Sequence, residues 1–283
     1  MLIAAAVCPC PPLLVPEVAA GAAPELDGLR AECFEVIHAL AAARPERLIV
    51  VGPADRAGRG PHAQGAPGTF RGFGVEVDVR LAAPVTERRA APVTERRDAP
   101  ATERRDAPAT ERRDAPATED GASDGEDAPD GGPSRSLPTS LAVGAWLLEH
   151  AGWDPAVPVE GLGVGEPLAA GRCIEVGREL AGRAERVALL VMGDGTACRT
   201  LKAPGYLDER AAAFDAEVAR ALAAADTGAL AALDEELAYE LKAAGRAPLQ
   251  VLAGAGEGAR LKGELRYDEA PYGVGYFVAS WSS

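Results

Sequence analysis

The chain has 283 residues, 47% of them apolar, which is enough for one sizeable core, and a formal net charge of −14. That charge excludes a general binder of nucleic acid or anionic membrane, because a phosphate surface must be met by clustered Lys and Arg. No apolar run approaches the ~18 residues of a membrane span. The five cysteines do not suit a disulfide framework in so long a chain, and read as reduced, small, buried side chains.

The N-terminal MLIAAAVCPCPPLL has no basic leader, and prolines break it at once. Residues 2–7 therefore read as a first buried strand followed by a Pro-rich loop, not as an export signal, and the expected compartment is the cytoplasm. Residues 24–43 set Leu26, Leu29, Cys33, Ile37 and Leu40 at helical spacing. RLIVVGP (47–53) reads as a buried strand, and FGVEVDVRL (73–81) alternates as a half-buried strand does. From Ala83 an octapeptide recurs as APVTERRA, APVTERRD, APATERRD, APATERRD and a truncated APATED, followed by an acidic Gly- and Pro-rich stretch. A proline in every repeat and no large apolar residue predict disorder over 83–135, and a period of eight is far from the roughly 20–50 residues of a solenoid unit. The simplest reading is a tandem expansion tolerated in a surface loop, since long loops cost little extra closure entropy.

Beyond the insert, residues 140–152 predict a helix stopped by glycine, and 186–195 a buried strand opening into a Gly-rich loop. Residues 207–244 are helical with a break near 226–228, and 261–269 and 273–281 are two strands around the turn Ala270-Pro271-Tyr272. This alternation predicts an α/β fold: a single domain, 1–82 with 136–283, with a mostly parallel central sheet flanked by helices and an antiparallel edge. Ligand sites in such sheets form where loops leave the strand C-termini, here 8–17, 52–60 and 193–205.

The loop from Gly193 to Lys202 combines small residues with an acid, a hydroxyl and two cations. Thr196 and Arg199 therefore suit a small anionic ligand, against the plainer reading of a strand-to-helix turn with solvated charges. GVGEP (163–167) lacks the order of a phosphate loop. His38 and His150 fall on or at the end of predicted helices and read as surface groups, whereas His62 lies in a Gly/Pro-rich loop.

Four segments, in order, carry a family resemblance. Cys10-Pro11-Pro12-Leu13-Leu14-Val15-Pro16-Glu17 resembles the PHPPLLVPE-type motif of the LigB-like class III extradiol ring-cleavage dioxygenases. Met192-Gly193-Asp194 resembles their SGDLSH segment, Ala213-Phe214-Asp215 their FD helix start, and the run from Tyr267 to Tyr276 their YEGPFGVGY signature. The resemblance implies an α/β fold and ring-cleaving oxidoreductase chemistry at an Fe(II) held by two histidines and a glutamate, with a further acid/base histidine. Carried over residue by residue, the histidines fall on Cys10, on Pro53-Ala54 and on Ala197, and the glutamate falls near Ala243, with Glu240 one helical turn earlier. The expected ligands are thus absent. His62, eight residues past its expected place, is the candidate for a relocated ligand.

A thiolate alternative is a set drawn from Cys10, Asp194, Cys198 and Glu240, with Cys10 and Glu240 as metal ligands, which suits zinc better than catalytic iron. Cys10, Asp194 and Cys198 are the catalytic candidates, and Tyr272 joins Thr196 and Arg199 as a pocket residue. Three functions follow: a dioxygenase-like enzyme with an altered site on an aromatic or anionic small molecule, a non-catalytic small-molecule binder or partner subunit, and a thiol-based metal-binding protein. A homo-oligomer or a pairing with a second, different chain is the expected assembly.

Overall fold

A computed structural model describes residues 1–82 and 135–283. The expectation of disorder over 83–135 falls, except for Arg135, outside the described residues. In chain order the elements are β1 (Leu2–Cys8), α1 (Pro16–Ala19), α2 (Asp27–Ala42), β2 (Arg47–Pro53), β3 (Gly60–His62), β4 (Pro67–Thr69), β5 (Asp78–Arg80), α3 (Thr139–His150), β6 (Val159–Val164), α4 (Ala170–Ala181), β7 (Val187–Met192), α5 (Ala211–Ala224), α6 (Thr227–Ala231), α7 (Glu235–Glu240), α8 (Arg246–Gly256), β8 (Lys262–Glu269) and β9 (Tyr276–Ser282).

Seven strands form one sheet in the order β3-β6-β2-β7-β1-β9-β8, with β4 and β5 as a separate ribbon. The centre is parallel: β7 lies between β1 and β2, and β6 follows β2. Both edges are antiparallel, through β3 on one side and β9–β8 on the other. This is the α/β architecture expected, with the antiparallel edge formed by the last two strands. The central strands are buried on both faces, which is why β1, β2 and β7 read as uninterrupted apolar runs.

Alternate residues of these strands feed two apolar cores. On one face Ala6, Cys8, Leu48, Val50 and Leu190 pack with Leu29, Ile37, Leu141 and Trp146 of α2 and α3. On the other, Val7, Ile49, Val51 and Val191 pack with Leu180, Leu222, Val251 and Leu252 of α4, α5 and α8. Helices α4 and α8 approach backbone to backbone. A Cβ at Gly177 would strike the carbonyl of Val251, and one at Gly254 the carbonyl of Ile174.

Some expectations differ in detail. The predicted strand at 73–81 pairs only over Asp78–Arg80, because Gly74 takes a left-handed φ of 83° and turns the chain out of a short 3-10 segment. The helical stretch breaks at Asp226 as expected, and again at Asp234; each aspartate caps the next helix by accepting a backbone N–H. All five cysteines are free and buried. Among the described residues no helix is long and apolar enough to cross a membrane.

Candidate functional site

β1 and β7 are parallel neighbours, so the loops leaving their C-termini meet. The Gly193 N–H donates to the Cys8 carbonyl at 3.0 Å. The Cys10 N–H donates to Asp194 Oδ1 at 2.8 Å. Cys10 is buried, whereas Asp194 keeps partial solvent access. Burial pushes the Asp194 carboxyl up to about 6, against the lowering effect of its bonds from Cys10. Among the described residues no cation contributes to that balance. Burial, then the charge of Asp194 and a bond to it, pushes the Cys10 thiol well up, so the thiol is neutral at pH 7. The Tyr276 phenol on β9 is pushed up by burial first and then by the charge of Asp194.

Beside this pair lies a cleft of about 480 Å³. Cys10, Pro53, Asp55, Ala57 and Gly58 line one side, and residues 135–140 the other. It sits past the C-terminal ends of β1 and β2, where open α/β sheets hold ligands. The Ser140 hydroxyl ties its walls together by donating to the Pro53 carbonyl at 2.6 Å. Asp55 closes the facing turn by accepting the Gly58 N–H at 2.9 Å. α3 begins in the cleft with Pro138 as N-cap, no capping side chain and no acid in its first turn. The early N–H groups of such a helix have no intrahelical acceptor and carry its positive dipole end. The Arg135 guanidinium, held at the Pro61 carbonyl at 3.1 Å, adds a cation to that wall.

Sequence reasoning anticipates only half of this cleft. The loops 8–17 and 52–60 supply one wall, but the 135–140 wall is not among the expected loops. In sequence Arg135 reads as the end of the insert, and the bare helix start after Pro138 is the signal that could have found it.

The loop from Gly193 to Lys202 is not the expected anion site. Thr196 is fully buried, and its hydroxyl and N–H both donate to Asp215, each at 2.9 Å. The Arg199 guanidinium donates to the same carboxylate at 2.9 Å. Asp215 is buried, and a Cβ at Gly195 or Gly275 would collide with its oxygens, so the knot is packed solid. Burial pushes the Asp215 carboxyl up, opposed by its bonds from Thr196 and Arg199. The Thr196 hydroxyl and one guanidinium nitrogen of Arg199 are thus engaged by Asp215.

The structure also separates the thiolate set. Cys198 turns into the core on the α5 and α8 face and donates to the Leu241 carbonyl at 3.5 Å, whereas Cys10 belongs to the opposite face. Glu240 stands at the surface, bonded to Arg210 at 2.7 Å. Tyr272 hydrogen-bonds Glu25 at 3.0 Å and lies outside the cleft lining. His62 is buried on β3 with Nε2 2.9 Å from the Gly58 carbonyl, and its Nδ1 has no partner among the described residues. Only Cys10 and Asp194 of the proposed ligands come together, and among the described residues no three His, Cys, Asp or Glu side chains converge. These side chains do not fit an Fe(II) held by two histidines and a glutamate, nor the mixed sulfur/oxygen zinc site.

No family model matches the chain, and no curated protein matches it. A solved structure does: the chain is similar to the uncharacterized protein JW3007 from Escherichia coli K12, at a TM-score of 0.50 and 15% identity, over 99% of this chain and 100% of that one. At that identity the likeness shows the fold alone.

Proposed function

We propose that the chain is a class III extradiol dioxygenase-like protein that binds a small aromatic or anionic molecule in the cleft between residues 53–58 and 135–140. The observation that carries this reading is the cleft itself. It lies past the C-terminal ends of two parallel strands, and its wall combines the uncapped start of α3 with Arg135. Backbone N–H groups at a helix start and a guanidinium suit a carboxylate or phosphate, and Pro53, Leu137 and Pro138 offer apolar surface for a ring. The order of the four family-like segments supports the scaffold. The reading includes a cytoplasmic location, supported by five cysteines that are all free and buried.

Thermal shift and calorimetric titration with a panel of small aromatic carboxylates, phenols and phosphates test it. Ala57 lines the cleft and is exposed, so Ala57→Trp fills the space without disturbing the core. At least one panel member should stabilise the wild type, by about 2.7 kcal/mol at a hundredfold excess over Kd, and fail to stabilise Ala57→Trp. Equal binding by both proteins, or no binder in the panel, rejects the cleft as the site.

A second reading, a chain that docks on a protein partner, is favoured by one feature. Leu201, Tyr206, Leu207 and Tyr239 are large apolar side chains left exposed. The loop carrying the first three is tied to the end of α7 by the Arg210–Glu240 ion pair and by the Ala197 N–H donating to Leu241. Exposed apolar groups gathered this way mark interaction surfaces.

A further inference from the structure

We infer that this protein works without a transition metal, its Cys10–Asp194 pair standing where the family it resembles places an imidazole ligand. The inference rests on that resemblance for the location, and on the whole inventory of soft ligands for the conclusion. The chain has three histidines and five cysteines, and every one lies among the described residues. The structure shows what each of them touches.

His38 lies at the surface with Nε2 3.1 Å from the Ala151 carbonyl. His150 stacks on Trp146, ring centroids 4.0 Å apart, with Nδ1 2.8 Å from the Trp146 carbonyl. His62 is set into β3 against Gly58. Cys8 on β1 and Cys33 on α2 are buried in one core with their thiols against each other. Cys173 and Cys198 lie in the opposite core, their thiols donating to the carbonyls of Leu168 and Leu241. Cys10 alone of these eight reaches the cleft, and among the described residues the only acid joined to it is Asp194. At the other expected ligand position the chain offers Pro53 and Ala54, neither of which has a side-chain donor. Asp55 also lines the cleft, but its carboxylate accepts the Gly58 N–H, and among the described residues no three such side chains converge, so Cys10 and Asp194 fall short of the three protein ligands that catalytic zinc sites and the non-haem Fe(II) triad use. The acids outside the described residues cannot restore an imidazole or a second thiolate, because no histidine or cysteine occurs there.

The test uses the full untagged chain. It is stripped with EDTA, incubated anaerobically with excess Fe(II) or, separately, Zn(II), freed of unbound ion by gel filtration, and assayed by mass spectrometry for metal and by thermal melting. Metal far below one per chain with both ions, and a melting temperature unmoved by either ion or by EDTA, is the expected result. Near-stoichiometric retention of either ion overturns the inference. The wild-type result decides by itself, and Cys10→Ser and Asp194→Asn then locate any metal retained. Titrating the same stripped protein with the ligand panel separates this inference from the cleft reading. Metal retention with intact cleft binding sinks only the present inference, whereas a metal-free protein that binds nothing in the cleft sinks only the other.

Discussion

Asp194 and Asp215 sit at opposite ends of the same short stretch of structure and have opposite surroundings. Asp215 is sealed from solvent and accepts three bonds, two from Thr196 and one from the Arg199 guanidinium. Asp194 keeps partial access to water and accepts the Cys10 N–H, and among the described residues no lysine or arginine lowers its pKa. A deep charge is tolerated in a fold when it is paired and hydrogen-bonded, so Asp215 is what a structural carboxylate looks like. A half-buried carboxyl beside a cleft, its pKa raised and no cation paired with it, has the surroundings common among site residues. The contrast sets a polar stretch that is bonded into the fold against a carboxyl at its start that is not paired with a cation among the described residues.

The largest effect expected from breaking this contrast is at Asp215. Asp215→Ala leaves the Arg199 cation and the Thr196 donors without their acceptor, and removing one partner of a buried ion pair costs about 3–5 kcal/mol. Chemical denaturation should show a loss of that order, enough to threaten folding of a domain of ordinary stability. A loss below about 1 kcal/mol would mean that water satisfies the loop and that the knot is not structural.

Asp194 should respond in the other direction. Its carboxyl stands at about 6 in the folded protein against a reference of 3.8, so the folded state holds the proton more tightly than the unfolded state does. Stability from this group is therefore fully present below about pH 4, declines as pH rises from 4 to 6, and stays low above that. Asp194→Asn keeps the shape and an acceptor for Cys10 without the charge. It should gain about 1–3 kcal/mol at pH 7, gain little at pH 4, and flatten the pH dependence between them. An unchanged pH profile would show that a cation or ordered water compensates Asp194 after all.

What is legible in the sequence follows from the same physics. β1, β2 and β7 announce themselves because both their faces are buried. β6 (VEGLGV) does not, because Gly161 and Gly163 dilute its apolar signal to make room for His62, Leu81 and the backbone of Gly58. α8 is buried on every side, Arg246 and Gln250 included, so its polar residues do not mark a solvent-facing stripe. α4 does carry a helical pattern, burying Cys173, Gly177 and Leu180 on an otherwise polar helix, but two of those three residues are small. At the site, Cys10 and Asp194 are legible because each lies two residues past the end of a strand readable from the sequence. Thr196 and Arg199 mislead because composition cannot say that Asp215, sixteen or more residues later, takes up both of them. The 135–140 wall is hidden because it begins where the repeat-bearing segment ends.

A smaller effect is expected at Cys10. Its thiol is held neutral by burial first and by the Asp194 charge second. Alkylation by iodoacetamide should be slow at pH 8 in the wild type, because the thiolate is the nucleophile. It should quicken only modestly in Asp194→Asn, where the second cause is gone and the first remains. Fast modification of the wild type would reverse the order of these causes and reopen Cys10 as a reactive residue.

The smallest effect should be at Glu240, and it sharpens the comparison from outside. Glu240 is the carboxylate expected to complete a metal site, and it lies instead on the surface beside Arg210. Arg210 does not depend on it, because the same guanidinium donates to both oxygens of Asp208, at 3.0 and 2.7 Å. Exposed ion pairs contribute little to stability. Glu240→Ala should therefore leave melting temperature, metal content and cleft binding at wild-type values. A drop in ligand affinity with unchanged stability would mean that the end of α7 reaches the site in the bound protein. The site would then hold a carboxylate besides Asp55 and Asp194, and the contrast between Asp194 and Asp215 would have to be drawn again.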